Sequence, residues 1–299
     1  MSARITGRTR LAGIIGWPVE QSLSPVMHNA AYRAVEFDCV YVPLPVADET
    51  DLIRVISAIR VLPFAGFNVT MPYKQVMLDL CDEVAMLAQM AGAVNTVHCV
   101  DGKLIGYNTD GRGLVDSLLA EAGFEPAGAT VALLGSGGAA GSALVSLVLG
   151  KAARVTIVNR TLGNAEALAE RIRPHARETT IEVVGLDADA DEVVRGADLV
   201  VNATPLGMKP QDESPVPAGW MRGGQIVADM IYRPEPTPLV VAARSAGATA
   251  LDGLGMLVAQ GATAMEIWCG ESCGVASRNV MRQAAEEAIS ARAAGGERA

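Results

Sequence analysis

Aromatic side chains are scarce in this 299-residue sequence, where Phe, Tyr and Trp together make up 4%. Its cores must therefore be built from aliphatic and small residues, and abundant Ala, Gly and Val with few rings suit a compact α/β enzyme. A basic excess is also missing. The formal net charge of −9 argues against a nucleic-acid partner and against binding to an anionic membrane surface. No run approaches the roughly 18 uncharged apolar residues that a membrane helix needs. The N-terminus carries Arg4, Arg8 and Arg10 but lacks an apolar core and a small-residue cleavage site, so it does not read as a signal peptide. Pairing signals among the cysteines are absent as well. The five are scattered without a C-x-x-C, and Cys269 and Cys273, four apart, have no second pair or His beside them. Reduced thiols in a cytoplasmic protein, with no metal site, are the expectation.

What the sequence does hold is centred on residues 131–141. Thr130 to Leu134 is a β-branched and apolar run fit for a buried strand. Gly135, Gly137 and Ala140 follow as G-x-G-x-x-A, opening a small-residue helix from Gly138 to Leu149. Gly135 permits the tight turn, Gly137 lets backbone approach a pyrophosphate, and Ala140 lets helix pack on strand. The helix start adds free N–H groups and a positive dipole end. Arg154 to Val158 reads as the second strand. At its end, about 20 residues past the first Gly, an NAD-binding fold usually holds Asp or Glu for the ribose 2′-hydroxyl. Here Asn159-Arg160-Thr161 stands instead. A guanidinium with two neutral hydrogen-bonding side chains favours a 2′-phosphate, hence NADP. The plainer alternative makes Asn159 and Thr161 a strand end and a helix cap, with Arg160 solvated.

Half the residues are apolar, enough for two cores, and strand alternates with helix across 10–122 and again across 130–252. The expected fold is α/β in two domains with mainly parallel sheets, and Glu121 to Ala129 reads as a linker. In the first half, Leu11–Gly16, Cys39–Val46 and Phe64–Val69 read as strands and Glu49–Ile59 as an amphipathic helix. Ser24 reads as the N-cap of a helix that Pro25 opens, with Ser22 in the loop before it. Pro72 is expected to start another helix. Lys74 would then lie in its first turn, where the dipole opposes a cation and lowers its pKa, as a catalytic lysine requires. Residues 91–96 read as the start of a strand, 102–106 as a hairpin, and Asp110 as a cap of the helix running to Ala122.

Nine stretches, in order over residues 11–260, make the sequence resemble the shikimate dehydrogenase family. They are Ser22-Leu-Ser-Pro-x-x-His-Asn29, Asn68-Val-Thr-x-Pro-x-Lys74, Gly92-Ala-Val-Asn-Thr96, Asn108-Thr-Asp-Gly111 and Gly135-Ser-Gly-Gly-Ala139, then Asn159-Arg-Thr161, Asn202-Ala-Thr-Pro-Leu-Gly-Met208, Asp229-x-x-Tyr232-x-Pro-x-x-Thr-Pro-Leu239 and Gly255-Met-Leu-x-x-Gln260. The resemblance implies an N-terminal α/β substrate-binding domain, residues 1–110 plus 253–299, and a Rossmann-type NADP-binding domain, residues 111–252, with an active-site cleft between them. It implies reversible NADP-dependent reduction of 3-dehydroshikimate to shikimate, with quinate and NAD as the alternative pair and a non-catalytic binding module as a third reading. Lys74 and Asp110 become the catalytic pair. Ser22 and Ser24 would hold the substrate carboxylate, while Thr70, Asn95, Gln260 and Tyr232 would reach its hydroxyls or ring. Gly135, Ser136, Gly137, Gly138, Ala139, Asn159, Arg160, Thr161, Thr204 and Gly253 would hold the cofactor. The partner implied is a small molecule, and a homodimer is left open.

Overall fold

The computed structural model describes residues 5–294; the tail from Ala294 to Ala299, which its composition suggests is frayed, lies outside the described residues beyond Ala294. Contacts divide the chain into two units, 1–109 with 258–299, and 110–257. Both divisions differ from the expected 110 and 252. The second falls inside one continuous helix, Leu254–Cys269, so no linker marks it. Nor is 121–129 an interdomain linker: it joins a helix to a strand within the second unit.

The first unit runs β1 (Arg10–Gly16), α1 (Ser24–Ala34), β2 (Cys39–Pro45), α2 (Glu49–Ile59), β3 (Phe64–Val69), α3 (Met77–Leu80), β4 (Glu83–Val84), α4 (Met86–Ala91), β5 (Thr96–Val100) and β6 (Lys103–Tyr107). Its sheet has the order β2-β1-β3-β5-β6-β4. β1 lies parallel to β2 and β3, whereas β5 runs antiparallel to both β3 and β6. Helix α2 forms where the sequence predicts it. The Asp48 carboxylate accepts from the Asp51 N–H as the cap, and Leu52, Ile56 and Ile59 turn one stripe into the core. That core also takes Ile15, Phe67, Val69, Tyr73 and Val97. Two later helices are α10 (Leu254–Cys269), whose part from Val258 on belongs to this unit, and α11 (Glu271–Ala294), which packs along α1.

Trp268 of α10 donates from Nε1 to the Val97 carbonyl at 3.0 Å and lies directly over Gly66 of β3. A Cβ on Gly66 would collide with the indole nitrogen and with the Val97 oxygen. Gly66→Ala is therefore expected to cost about 1–3 kcal/mol through overpacking. Thermal denaturation should show a clear drop in Tm, and an unchanged Tm would mean that α10 does not bear on this sheet as described.

The second unit holds α5 (Asp110–Ala122), β7 (Thr130–Leu134), α6 (Gly138–Leu149), β8 (Arg154–Val158), α7 (Leu162–Ile172), β9 (Thr180–Val184), α8 (Ala188–Gly196), β10 (Leu199–Asn202), β11 (Ile226–Asp229), α9 (Pro238–Ser245) and β12 (Thr249–Leu251). All six strands are parallel in the order β9-β8-β7-β10-β11-β12. Numbered from β7 this is 3-2-1-4-5-6, the doubly wound dinucleotide order, whose switch point lies between β7 and β10. Small residues let α5 lie against α6, where a side chain on Gly111 would strike the Ser142 carbonyl.

Candidate functional site

In the second unit the turn after β7 has the geometry its spacing predicts. Gly135 sits at φ +106°, a region that favours glycine, and a Cβ there would come within 3.0 Å of the Thr204 methyl group. Gly137 is the N-cap of α6, contributes no side-chain cap, and faces open space: nothing in the chain lies within 4 Å of a Cβ built on it. The fold itself does not require glycine there, and the open space leaves room for a group to lie against the backbone at the start of α6. Ser136, Gly138 and Ala139 are partly exposed beside it, and Ala140 is fully buried against the sheet. A pyrophosphate fits this cradle, with the α6 N-terminus turned to it.

Thr204 is held from below by a buried relay. Its N–H and hydroxyl both donate to Asn202 Oδ1, at 3.0 and 2.7 Å, while Asn202 Nδ2 donates to Asp229 at 2.9 Å. Thr237 also donates to Asp229, at 2.6 Å, and burial pushes this carboxyl above its usual range. Asn202, Asp229 and Thr237 stand in the quoted motifs without an assigned role; polar residues closing apolar strands were the only signal. Gly253 answers to packing, since a Cβ there would meet the Met230 carbonyl oxygen at 2.6 Å. Tyr232 is half-buried past the carboxyl end of β11.

At the end of β8, Asn159 donates from Nδ2 to the Thr161 carbonyl at 2.9 Å and so shapes the turn that carries Arg160. Thr161 occupies the N-cap position of α7 but makes no side-chain cap bond. Arg160 is exposed, and among the described residues it forms no hydrogen bond or ion pair. A guanidinium so placed can take a phosphate bidentately.

In the first unit, strand direction gathers the predicted substrate residues at one sheet edge. Ile15 pairs with Val69, the last residue of β3, one residue before β1 ends at Gly16, and Thr96 opens β5 opposite both Asn68 and Tyr107. The segments carrying Ser22, Ser24, Thr70, Lys74, Asn95 and Thr109 all issue from that edge. Ser24 is not the predicted cap: Leu23 takes that position without a side-chain bond, and Ser24 is the first helical residue, buried, its N–H donating to Ser22 Oγ at 3.2 Å. Lys74 is not in a helix. Residues 71–76 are turns and α3 starts only at Met77, so the helix-dipole reasoning does not apply to it. The half-buried Lys74 is fixed instead through its carbonyl, which accepts from Val94 N–H at 2.7 Å. Residues 91–95 are not strand either: Gly92 closes α4 at φ +67°, and β5 begins at Thr96. Asp110 is the first residue of α5 and buried.

Asn95 anchors a buried polar cluster. Its Oδ1 accepts the Thr109 N–H at 2.8 Å, and its Nδ2 donates to Thr109 Oγ1 at 3.0 Å and to Gln260 Oε1 at 3.5 Å. Asn68 and Thr96, buried too, complete it from the sheet side. These neutral amides and hydroxyls can hydrogen-bond the ring hydroxyls of a small polar molecule.

A doubly wound sheet with a glycine turn at its switch point, in one chain with such a cluster, defines an α/β dinucleotide-binding enzyme. Residues 14–97 match the shikimate dehydrogenase substrate binding domain model and 118–207 the shikimate / quinate 5-dehydrogenase model. A shikimate dehydrogenase (NADP(+)) of Geobacter sp. strain M21 is 45% identical, over 89% of this chain and 92% of its own length. A crystal structure of a shikimate dehydrogenase in complex with NADP+ superposes with a TM-score of 0.85 at 39% identity, covering 96% of this chain and 98% of its own. A quinate dehydrogenase from Corynebacterium glutamicum in complex with NAD reaches 0.82 at 31% identity, covering 93% and 99%. The chain belongs to the shikimate dehydrogenase family of oxidoreductases.

Proposed function

We propose that this enzyme interconverts 3-dehydroshikimate and shikimate with NADP(H), using Lys74 and Asp110 as its catalytic residues. The observation that carries the reading is the meeting of Asn95, Thr109 and Gln260 in one neutral polar cluster, at the sheet edge that also bears Ser22, Ser24, Thr70 and Lys74. Ser22 and Ser24 take the substrate carboxylate, Thr70, Asn95, Gln260 and Tyr232 its hydroxyls or ring. Bound NADPH supplies the hydride. As negative charge grows on the carbonyl oxygen, the Lys74 ammonium donates a proton to it, and in the reverse direction takes that proton back. The turn after β7, with Ser136, Gly138, Ala139 and Thr204, takes the pyrophosphate side of the cofactor. Gly253, packed against the Met230 and Ile231 backbone, belongs to the cofactor side as well.

The acid-free Asn159-Arg160-Thr161 turn supports NADP over NAD. Arg160→Ala should raise KM for NADP+ by about tenfold or more, the usual worth of a charged hydrogen-bonding pair, and leave KM for NAD+ nearly unchanged. Equal effects on both cofactors would remove the 2′-phosphate role. A four-way assay of shikimate and quinate, each with NADP+ and NAD+, tests the whole reading. Highest kcat/KM for shikimate with NADP+ is expected, and preference for quinate with NAD+ would overturn it. Free thiols at all five cysteines support a reducing compartment, and we place the enzyme in the cytoplasm. No described helix is long and apolar enough to cross a membrane.

A further inference from the structure

His28 and Asn29 stand in the serine motif, yet neither has a part in the reaction above. Both act on Tyr41. Asn29 brackets the Tyr41 backbone, accepting its N–H at 2.9 Å and donating to its carbonyl at 2.8 Å. The His28 ring lies flat on the Tyr41 ring, centroids 4.4 Å apart and planes 3° from parallel. So fixed, the buried Tyr41 hydroxyl reaches Asn68 Oδ1 at 2.8 Å.

The proton directions from there follow from chemistry. Asn68 Nδ2 meets the Asn95 carbonyl, which can only accept, so Oδ1 must be the atom facing Tyr41 and the phenol must donate. Asn68 Nδ2 donates also to Thr96 Oγ1 at 3.0 Å, and Thr96 passes its own hydrogen to Asn95 Oδ1 at 3.1 Å. Asn95 Oδ1 faces both the Thr96 hydroxyl and the Thr109 backbone N–H, an obligate donor, so Asn95 Nδ2 points at Thr109 and Gln260.

We infer that Tyr41, held by His28 and Asn29, is a positioning residue that seats the Asn68 side chain against the Asn95 carbonyl and Thr96, holds Asn95 in place through them, and so tunes affinity for the substrate hydroxyls. The inference rests on the reading of Asn95 as a substrate ligand. Tyr41→Phe keeps the ring stack and removes only the terminal donor, leaving Asn68 Oδ1 buried without it.

The test uses the full-length enzyme with shikimate and NADP+. Tyr41→Phe should raise KM for shikimate by about 3- to 10-fold, the worth of one buried hydrogen bond, with kcat and KM for NADP+ within about twofold. Tyr32→Phe serves as the control, since Tyr32 is also buried in contact with His28 but its hydroxyl reaches no member of this cluster. It should leave KM unchanged. Asn95→Ala tests the underlying site, and if it leaves KM for shikimate unchanged, that reading fails first. If Asn95→Ala raises KM and Tyr41→Phe does not, the positioning role alone is wrong. In the double variant the two effects should not add, because Tyr41 acts through Asn95. Additive effects would overturn the relay.

Discussion

We expect Lys74→Ala to lower kcat for shikimate oxidation by about 10²–10⁴-fold, the contribution of a positioned general acid–base group. The substitution spares the local backbone, because the Lys74 residue is anchored by its carbonyl, which accepts from Val94 N–H, and not by its side chain's place in a helix. Thermal denaturation of the variant, run alongside, separates lost chemistry from lost stability. KM for NADP+ should hold, since Lys74 lies in the first unit and the glycine turn in the second. Absorbance of the reduced cofactor at saturating shikimate and NADP+ gives kcat directly. Turnover within about tenfold of wild type would remove Lys74 from the proton-transfer step.

The second unit was the more legible from sequence. Its central strands, β7, β8, β10 and β11, are short β-branched and apolar runs buried on both faces, and such runs declare themselves without a tertiary context. The strands read at 130–134 and 154–158 stand at those bounds. Residues 71–95 were the least legible. Pro72 resembled a helix opener, but the chain passes through six turn residues before Met77, and Gly92 was a helix terminator inside what read as a strand start. In both places the local signal is common to two structures, and tertiary packing chooses. The candidate site shows the same limit in another form. Ser22, Ser24, Lys74 and Asp110 each have an ordinary local reading, and only nine motifs in order gave them a role. Asn68, Thr96 and Thr109 carried no such role, because the hydrogen bonds that join them come from β3, β5 and the end of β6, brought together only when the sheet forms.

A last expected result concerns acid. His28 is wholly buried, its two ring nitrogens have no hydrogen-bond partner among the described residues, and burial pushes its pKa down to about 3. Its surroundings are the rings of Tyr32, Tyr41 and Trp268, none of which takes up a proton in this range. The sign follows from proton counting. Below pH 6.5 the unfolded chain protonates this imidazole while the folded chain refuses the proton until about pH 3. The unfolded state thus binds more protons throughout that window, and stability falls as pH falls through it. At pH 4.5 the loss from this one group is about 2–3 kcal/mol. His98, half-buried, is shifted the same way by burial, so the wild-type curve sums both. Comparing wild type with His28→Phe isolates the first: the substitution keeps an aromatic plate on Tyr41 and removes the titration. Denaturant unfolding between pH 7 and pH 4.5 should show the variant losing about 2–3 kcal/mol less than wild type. Parallel curves would mean that His28 is hydrated or protonated in the native state, and that the ring packed on Tyr41 is not the neutral imidazole that its burial demands.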